Sequence, residues 1–398
     1  GFAGTTAADA AKATKRKSVA AVITAYEKGL HADVLIGKIL EGWKQDGGPG
    51  PALTLASMYV EQFTDKDMAR AMAKKYDVPL FDTIESALTV GGDQIPVDGV
   101  ISIGEHGEYP WNEKEQHLYP RRRFFEGITD TFRKYGRVIP VFSDKHLGPE
   151  WTDAKWMYDR AQEMKVPFMA GSSMTVGYRT PEIAVPMGCD IEMAVGIGYS
   201  GLDIYGSHAL EFFQCHVERR LGAETGVRWV QCLQGEAMWK ILDDGVIPQS
   251  LFDVAFAAVP HQPNDVRHSH QSALFLFQYN DGFQGAVFML PDTAGGTSVA
   301  LKLKGQQEPL ATRFDEQTEP RYPHFAWLLK GIERMFHTGR PSYPVERTLL
   351  TSGILDRVLT SRVRNHEKLM TPELAISYQP VDYPHAPNPD LASDPSQA

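Results

Sequence analysis

Cysteine is scarce in this chain. Its 398 residues hold three, Cys189, Cys215 and Cys232, an odd number with no C-x-x-C pair. A disulfide or zinc framework is therefore not expected, and free buried thiols are. Long apolar runs are missing too: no stretch approaches the ~18 residues that cross a bilayer, so no membrane span is expected. Positive charge is outnumbered, with 40 Lys and Arg against 50 Asp and Glu and a net charge of -10. A nucleic-acid surface needs a basic stripe to displace counterions, so that class of partner is excluded. What remains is the composition of an ordinary globular protein, 42% hydrophobic and 23% charged, at a length that implies two domains. Residues 1–17 are rich in Ala, Thr and Lys without an apolar core and are expected to be poorly ordered. They read either as the start of a chain whose export signal has been removed or as an expression boundary, which leaves the compartment open between cytoplasm and periplasm.

The stretch 18–40, SVAAVITAYEKGLHADVLIGKIL, organises the rest. Residues 19–23 form an apolar run suited to a central parallel strand, and from Gly29 onward the apolar positions approach helical spacing. In a dinucleotide-binding fold this turn carries G-x-G-x-x-G, because the pyrophosphate rests on N–H groups at the helix start. Here Thr24, Tyr26 and Gly29 take the three glycine places, and only the third is kept. A tyrosine at the second place is expected to stand where a phosphate would lie. Glu61, near the end of the second strand, is the candidate for holding a ribose hydroxyl.

Alternating strands and helices come next. Strands are expected at 52–60, 78–81, 97–103, 138–142 and 167–172, with helices at 65–76, 83–89, 121–135 and 151–164; such alternation means a parallel sheet. Beyond residue 178 strand-like runs at 190–197, 227–232, 273–279 and 285–289 suggest an open, mostly antiparallel sheet, with helices at 207–220, 325–336 and 345–361. The expected class is thus α/β: a Rossmann-like parallel sheet over 18–148, then an α+β domain over 149–369. Residues 370–398 are Pro-rich and read as an arm or a disordered end.

Candidate site residues gather at strand ends, where parallel sheets bind ligands. The fourth strand runs into Glu105 and His106, the fifth into Asp144, Lys145 and His146. A partly desolvated Lys145 can orient a substrate hydroxyl and hold negative charge developing on oxygen; the bland alternative is an ion pair with Asp144. His208, near a helix start, can take a hydroxyl proton or simply bond a neighbouring carbonyl. Glu211 can orient it. Glu105, His106, Asp144, His146 and His208 also make a minority first shell for Zn²⁺ or Mn²⁺, though no sequence spacing certifies one. Tyr119, Arg121, Arg122 and Arg123 are either an acceptor for a sugar's acidic group or a solvated helix start.

Three local matches accompany this order of elements: VFSDKHL at the fifth strand's end, VGYRTP at 176–181, and GSHALEF at 206–212. With them the chain resembles, from residue 18 to 365, the Gfo/Idh/MocA family of sugar and polyol oxidoreductases. Asp144, Lys145 and His146 stand in the places of that family's Glu-Lys-Pro, and His208 and Glu211 in those of the His and Asp of its G-x-H-x-x-D. The resemblance implies NAD(P)-linked oxidation of a sugar or polyol hydroxyl, with Lys145 and His208 near the reacting carbon. It further implies that Tyr178 and Arg179 line the substrate pocket and that the open sheet makes homo-oligomer contacts. Some members use transient oxidation for elimination or glycoside hydrolysis. The rewritten glycine loop keeps a non-redox, metal-assisted lyase, epimerase or hydrolase as the alternative.

Overall fold

The computed structural model describes residues 15–269 and 271–387. Most of the expected N-terminal tail and the end of the Pro-rich segment thus lie outside the described residues. β1 (Lys17–Ala25) begins inside the stretch expected to be loose, and its Lys17 N–H bonds the Ala52 carbonyl at 3.0 Å. Residues 19 to 23 of β1 are wholly buried, as a strand covered on both faces must be.

Chain order then alternates as expected: α1 (His31–Glu41), β2 (Leu53–Gln62), α2 (Ala69–Tyr76), β3 (Leu80–Phe81), α3 (Ile84–Thr89), β4 (Gly99–Ile103), α4 (Arg121–Tyr135), β5 (Val141–Asp144), α5 (Trp151–Met164) and β6 (Phe168–Gly171). The six strands make one parallel sheet in the order β3-β2-β1-β4-β5-β6. The strand order reverses beside β1, so β1 and β4 flank the crevice in which such sheets hold ligands. This sheet runs on to Gly171, past residue 148 where its domain was expected to close. α4 shows why the helices form. Phe124, Phe125, Ile128 and Phe132 recur at three- and four-residue spacing and are buried, and Gly136 stops the helix at φ 66°. Each buried Phe contributes about 1.5–3 kcal/mol.

The second sheet uses β7 (Arg179–Thr180), β8 (Ile191–Gly198), β9 (Val227–Leu233), β10 (Ala273–Tyr279), β11 (Gln284–Met289), β12 (Ser298–Leu303), β13 (Leu310–Phe314) and β14 (Leu369–Met370). Their order is β14-β9-β10-β11-β8-β12-β13-β7, antiparallel except for the β8–β11 pair. The open, mostly antiparallel sheet is therefore as expected, with β7, β12, β13 and β14 in addition. α6 (Ile204–Val217) and α10 (Glu346–Val363) pack on one face through residues such as Phe213 and Leu349. α7 (Glu236–Asp243) and α8 (Gln249–Ala257) cover the other through Trp239 and Phe252 against Phe288. Both faces thus carry helices.

α9 (Pro323–Thr338) returns from the second domain to the first. Its Trp327, Leu328 and Ile332 share one core with Val19, Ile23 and Leu35. Gly99 is glycine because Phe336 of α9 lies against it: a Cβ there would sit 2.7 Å from the ring. The Pro-rich segment is an arm as far as residue 387. β14 pairs with β9, the Tyr378 hydroxyl donates to Glu218 (2.7 Å), and the Ala386 N–H reaches the Val176 carbonyl (2.8 Å).

Candidate active site

A cavity of about 590 Å³ opens between the two domains at the carboxyl edge of the first sheet. The β1–α1 turn supplies Gly29 and His31, the end of β4 supplies Glu105 and His106, the end of β5 supplies Lys145, and α6 supplies His208. His324 and Phe325, at the start of α9, close it from the far side.

Its best-fixed group is Glu105. Oε1 accepts from Lys145 Nζ at 3.2 Å and Oε2 from Arg121 Nη2 at 2.5 Å, and all three residues are almost fully buried. Burial alone would raise the Glu105 pKa. Lys145 and Arg121 overcome it and hold the carboxyl well below the usual carboxylate range. The Glu105 backbone is anchored as well, its carbonyl accepting from the Thr24 hydroxyl at 2.6 Å. Lys145 thus pairs with Glu105, and Asp144 does something else: its Oδ2 lies 2.5 Å from His31 Nδ1. That His–Asp dyad was not anticipated. His31 is the first residue of α1, two positions past the retained glycine, and its ring meets His106 and Phe325 edge-on at 4.9 Å each.

Three of the imidazoles around the cavity, those of His208, His106 and His324, are kept neutral. Burial, then the charges of Lys145 and His31, push His208 well below its ordinary value. Burial and His31 bring His106 down to about 4, and burial and Lys38 bring His324 down to about 3. His208 Nδ1, His106 Nε2 and His324 Nδ1 are buried without a protein partner. Such atoms in a polar cavity are where a ligand's hydroxyls are expected to bond.

Other expected residues lie elsewhere. His146 is buried off the cavity. Glu211 is turned from His208 and accepts from Ser172 N (2.8 Å) and Thr348 Oγ1 (3.1 Å). Tyr178 accepts from Trp327 Nε1 at 3.0 Å within the core. Arg179 lines a separate cavity. Glu61 takes the Tyr109 hydroxyl (2.8 Å) and Arg123 (2.6 Å). Among the described residues no group of three or more His, Cys, Asp or Glu side chains is arranged to hold a metal ion. The Zn²⁺ or Mn²⁺ shell is thereby corrected: Glu105 faces two cations, Asp144 faces His31, and His146 is not at the cavity.

The turn after β1 decides the cofactor question. Tyr26 is wholly buried among apolar residues that include Ala69 and Met72, and its hydroxyl has no partner. The Gly29 N–H, which in a dinucleotide site points at phosphate, donates instead to Asp33 Oδ2 at 2.8 Å. Arg321 pairs with that same oxygen, and Gln45 Nε2 donates to Asp33 Oδ1 at 3.2 Å. Lys38 is buried alongside, donating to the Arg321 carbonyl at 2.6 Å, and burial with Arg321 brings it down to about 7. The chain supplies its own anion at the helix start and its own guanidinium to face it. As it stands, this turn does not fit a dinucleotide held by its pyrophosphate.

No family model matches the chain, and no curated protein does. Solved structures do match. GenD2 from gentamicin A biosynthesis, in complex with NAD, overlaps 89% of this chain and 96% of its own at a TM-score of 0.58 and 11% identity. The apo scyllo-inositol dehydrogenase of Lactobacillus casei overlaps 89% and 98% at 0.55 and 11%. The WlbA dehydrogenase of Bordetella pertussis, in complex with NADH and UDP-GlcNAcA, overlaps 90% and 99% at 0.55 and 10%. The likeness is one of fold, a Rossmann-like domain joined to an open-sheet domain. Two of these three structures are of proteins named as dehydrogenases, one of them for scyllo-inositol.

Proposed function

We propose that the chain is a sugar- or polyol-directed oxidoreductase of Gfo/Idh/MocA type, acting on a small polyhydroxyl substrate in the interdomain cavity. One observation carries this reading: in a fold shared with such dehydrogenases, Lys145 of the first domain and His208 of the second line the same cavity. Lys145, fixed by the ionised Glu105, donates to a substrate oxygen and stabilises negative charge there. His208 is neutral and its Nδ1 is without a partner, so it is fit to receive a hydroxyl proton. His31 is oriented by Asp144 through Nδ1, which leaves Nε2 as the nitrogen available to a ligand. His106 and His324 offer further hydrogen bonds to hydroxyl groups. In relatives of this fold a dinucleotide supplies the hydride acceptor, as in GenD2 with NAD. In this chain the Asp33–Arg321 pair stands at the helix start, where the phosphates of such a dinucleotide would rest.

That same pair favours a second reading, a non-redox carbohydrate lyase, epimerase or hydrolase working by proton transfer from the same groups. The experiment runs a panel of polyols and sugars with NAD⁺ or NADP⁺ by absorbance, and in parallel without cofactor in D₂O by NMR. Reduction of the dinucleotide, lost in Lys145→Met, supports the oxidoreductase. Carbon-bound deuterium, elimination or hydrolysis without dinucleotide supports the second reading. Neither, across the panel, contradicts both.

A further inference from the structure

We propose that the chain has a second ligand site, for a small oxyanion, in the cavity beneath its C-terminal arm. This cavity has a volume of about 440 Å³ and is lined by Thr175, Arg179, Cys215, Arg219, Arg347 and His385 among others. Two of its three arginines are matched internally. Arg347 makes a two-pronged pair with Glu218, at 2.9 and 2.5 Å. Arg219 pairs with Asp382 at 2.8 Å and donates to the Val185 carbonyl at 2.6 Å.

Arg179 is not matched. Its Nη2 reaches only the Thr175 carbonyl (3.0 Å) and Cys215 Sγ (3.7 Å), and its Nε is buried with no partner. The sulfur beside it gives no counter-charge, because burial pushes the Cys215 thiol up and keeps it protonated. The acidic group next along the chain, Glu182, is exposed and pairs with His385 Nε2 at 3.2 Å. Nδ1 of His385 is likewise buried without a partner, and the Thr175 hydroxyl, beside that of Tyr343, borders the same space. Thr175 itself is only 6% exposed.

A guanidinium with no carboxylate bonded to it, a hydroxyl and an imidazole nitrogen around one half-open cavity are what a phosphate or carboxylate group takes up. Leaving a half-buried guanidinium without a bonded carboxylate is costly, so an anion that fills the space is favoured. Burial, then the charges of Arg179 and Arg219, bring His385 down to about 3. The site also touches the first cavity through two shared elements. Within the turn Ser173–Thr175, Ser173 and Met174 line the interdomain cavity and Thr175 lines this one. α6 carries His208 into the first and Cys215 into the second.

The test titrates the full chain by calorimetry, in phosphate-free buffer at fixed ionic strength, with inorganic phosphate and separately with malonate. One saturating event per chain is expected for at least one probe, and the tighter of the two assigns a phosphate-type or a carboxylate-type ligand. Arg179→Met should weaken it ten-fold or more. Lys145→Met, in the other cavity, should leave it unchanged, so the fate of this site is separable from that of the proposed enzyme. Melting curves supply the folding control: without anion Arg179→Met should melt no lower than wild type, and it should lose the rise that the anion gives. Should Arg179→Met fail to fold, Thr175→Val keeps the guanidinium and should still weaken binding several-fold. No saturable binding of either probe, or binding that Arg179→Met and Thr175→Val leave unchanged (an adventitious ion only), would overturn the proposal.

Discussion

The two ends of the interdomain crevice have been treated differently. At the ends of β4 and β5, charged groups face the cavity: Lys145 stands on Glu105 and His31 on Asp144, and neutral imidazoles surround them. At the turn after β1, charged groups face one another: Asp33 takes the Gly29 N–H, Arg321 faces Asp33, and Tyr26 fills the space below. The first arrangement leaves polar atoms for a ligand. The second turns its helix-start N–H and its carboxylate inward, and leaves only the Tyr26 hydroxyl and Arg321 Nε without partners. A shared backbone therefore does not carry a shared ligand set, because hydrogen-bond capacity at a helix start belongs to whichever group reaches it first.

That contrast can be broken from either side. The largest effect is expected at the cavity end, where Lys145→Met should lower turnover by roughly 10²–10³-fold while Glu105 stays paired with Arg121. Initial rates on the best substrate of the panel measure it. His208→Asn and His31→Asn should each cost about 10²-fold. Asp144→Asn, which removes the carboxylate that orients His31, should lower the rate about as much as His31→Asn. At the turn the effects should be on stability. Tyr26→Ala empties a buried ring site and should cost about 3–5 kcal/mol in denaturant unfolding. Tyr26→Phe removes only a hydroxyl that has no partner and should be neutral or slightly stabilising. A large loss with Phe would show that the hydroxyl, not the ring, is what the turn needs.

The neutral histidines carry a pH signature. His106 and His324 have folded values of about 4 and about 3, against about 6.5 for an unfolded histidine. Between those values the unfolded chain binds more protons than the folded one. Stability should therefore be full above pH ~6.5 and fall as the pH drops toward 4. Chemical denaturation at several pH values checks the slope, and His324→Phe should flatten it.

Much of this was legible in the sequence, for reasons that differ by residue. The six parallel strands follow from apolar runs and their alternation with amphipathic helices. Glu105 and Lys145 were marked by position, charged residues directly after buried strands, and His208 by its place near a helix start. His31 was passed over although it sits in the same turn as Tyr26, because the glycine pattern drew the reading toward what was missing there. Asp144 was noticed as the neighbour of Lys145, but adjacent residues on a strand point to opposite faces, and its carboxylate serves His31. Arg321 and His324 were out of reach: they meet α1 from nearly three hundred positions away, and no local pattern announces that contact. β12 and β13 went unread although, at six and five residues, they are longer than β5 and β6, which were read. Tyr178 and Arg179 were drawn toward the substrate by analogy, whereas β7, which Arg179 begins, pairs with β13 and leads to the other cavity.

The most direct test of the closed turn is a calorimetric titration of NAD⁺ and NADP⁺ into the wild-type chain and into Asp33→Asn. Removing the internal anion frees the Gly29 N–H and Arg321 for a phosphate. The account predicts weak or undetectable binding to wild type and binding at least ten-fold tighter to Asp33→Asn. Tight, micromolar binding to wild type that Asp33→Asn leaves unchanged or weakens would contradict it, and would mean that this fold grips its dinucleotide without the helix start.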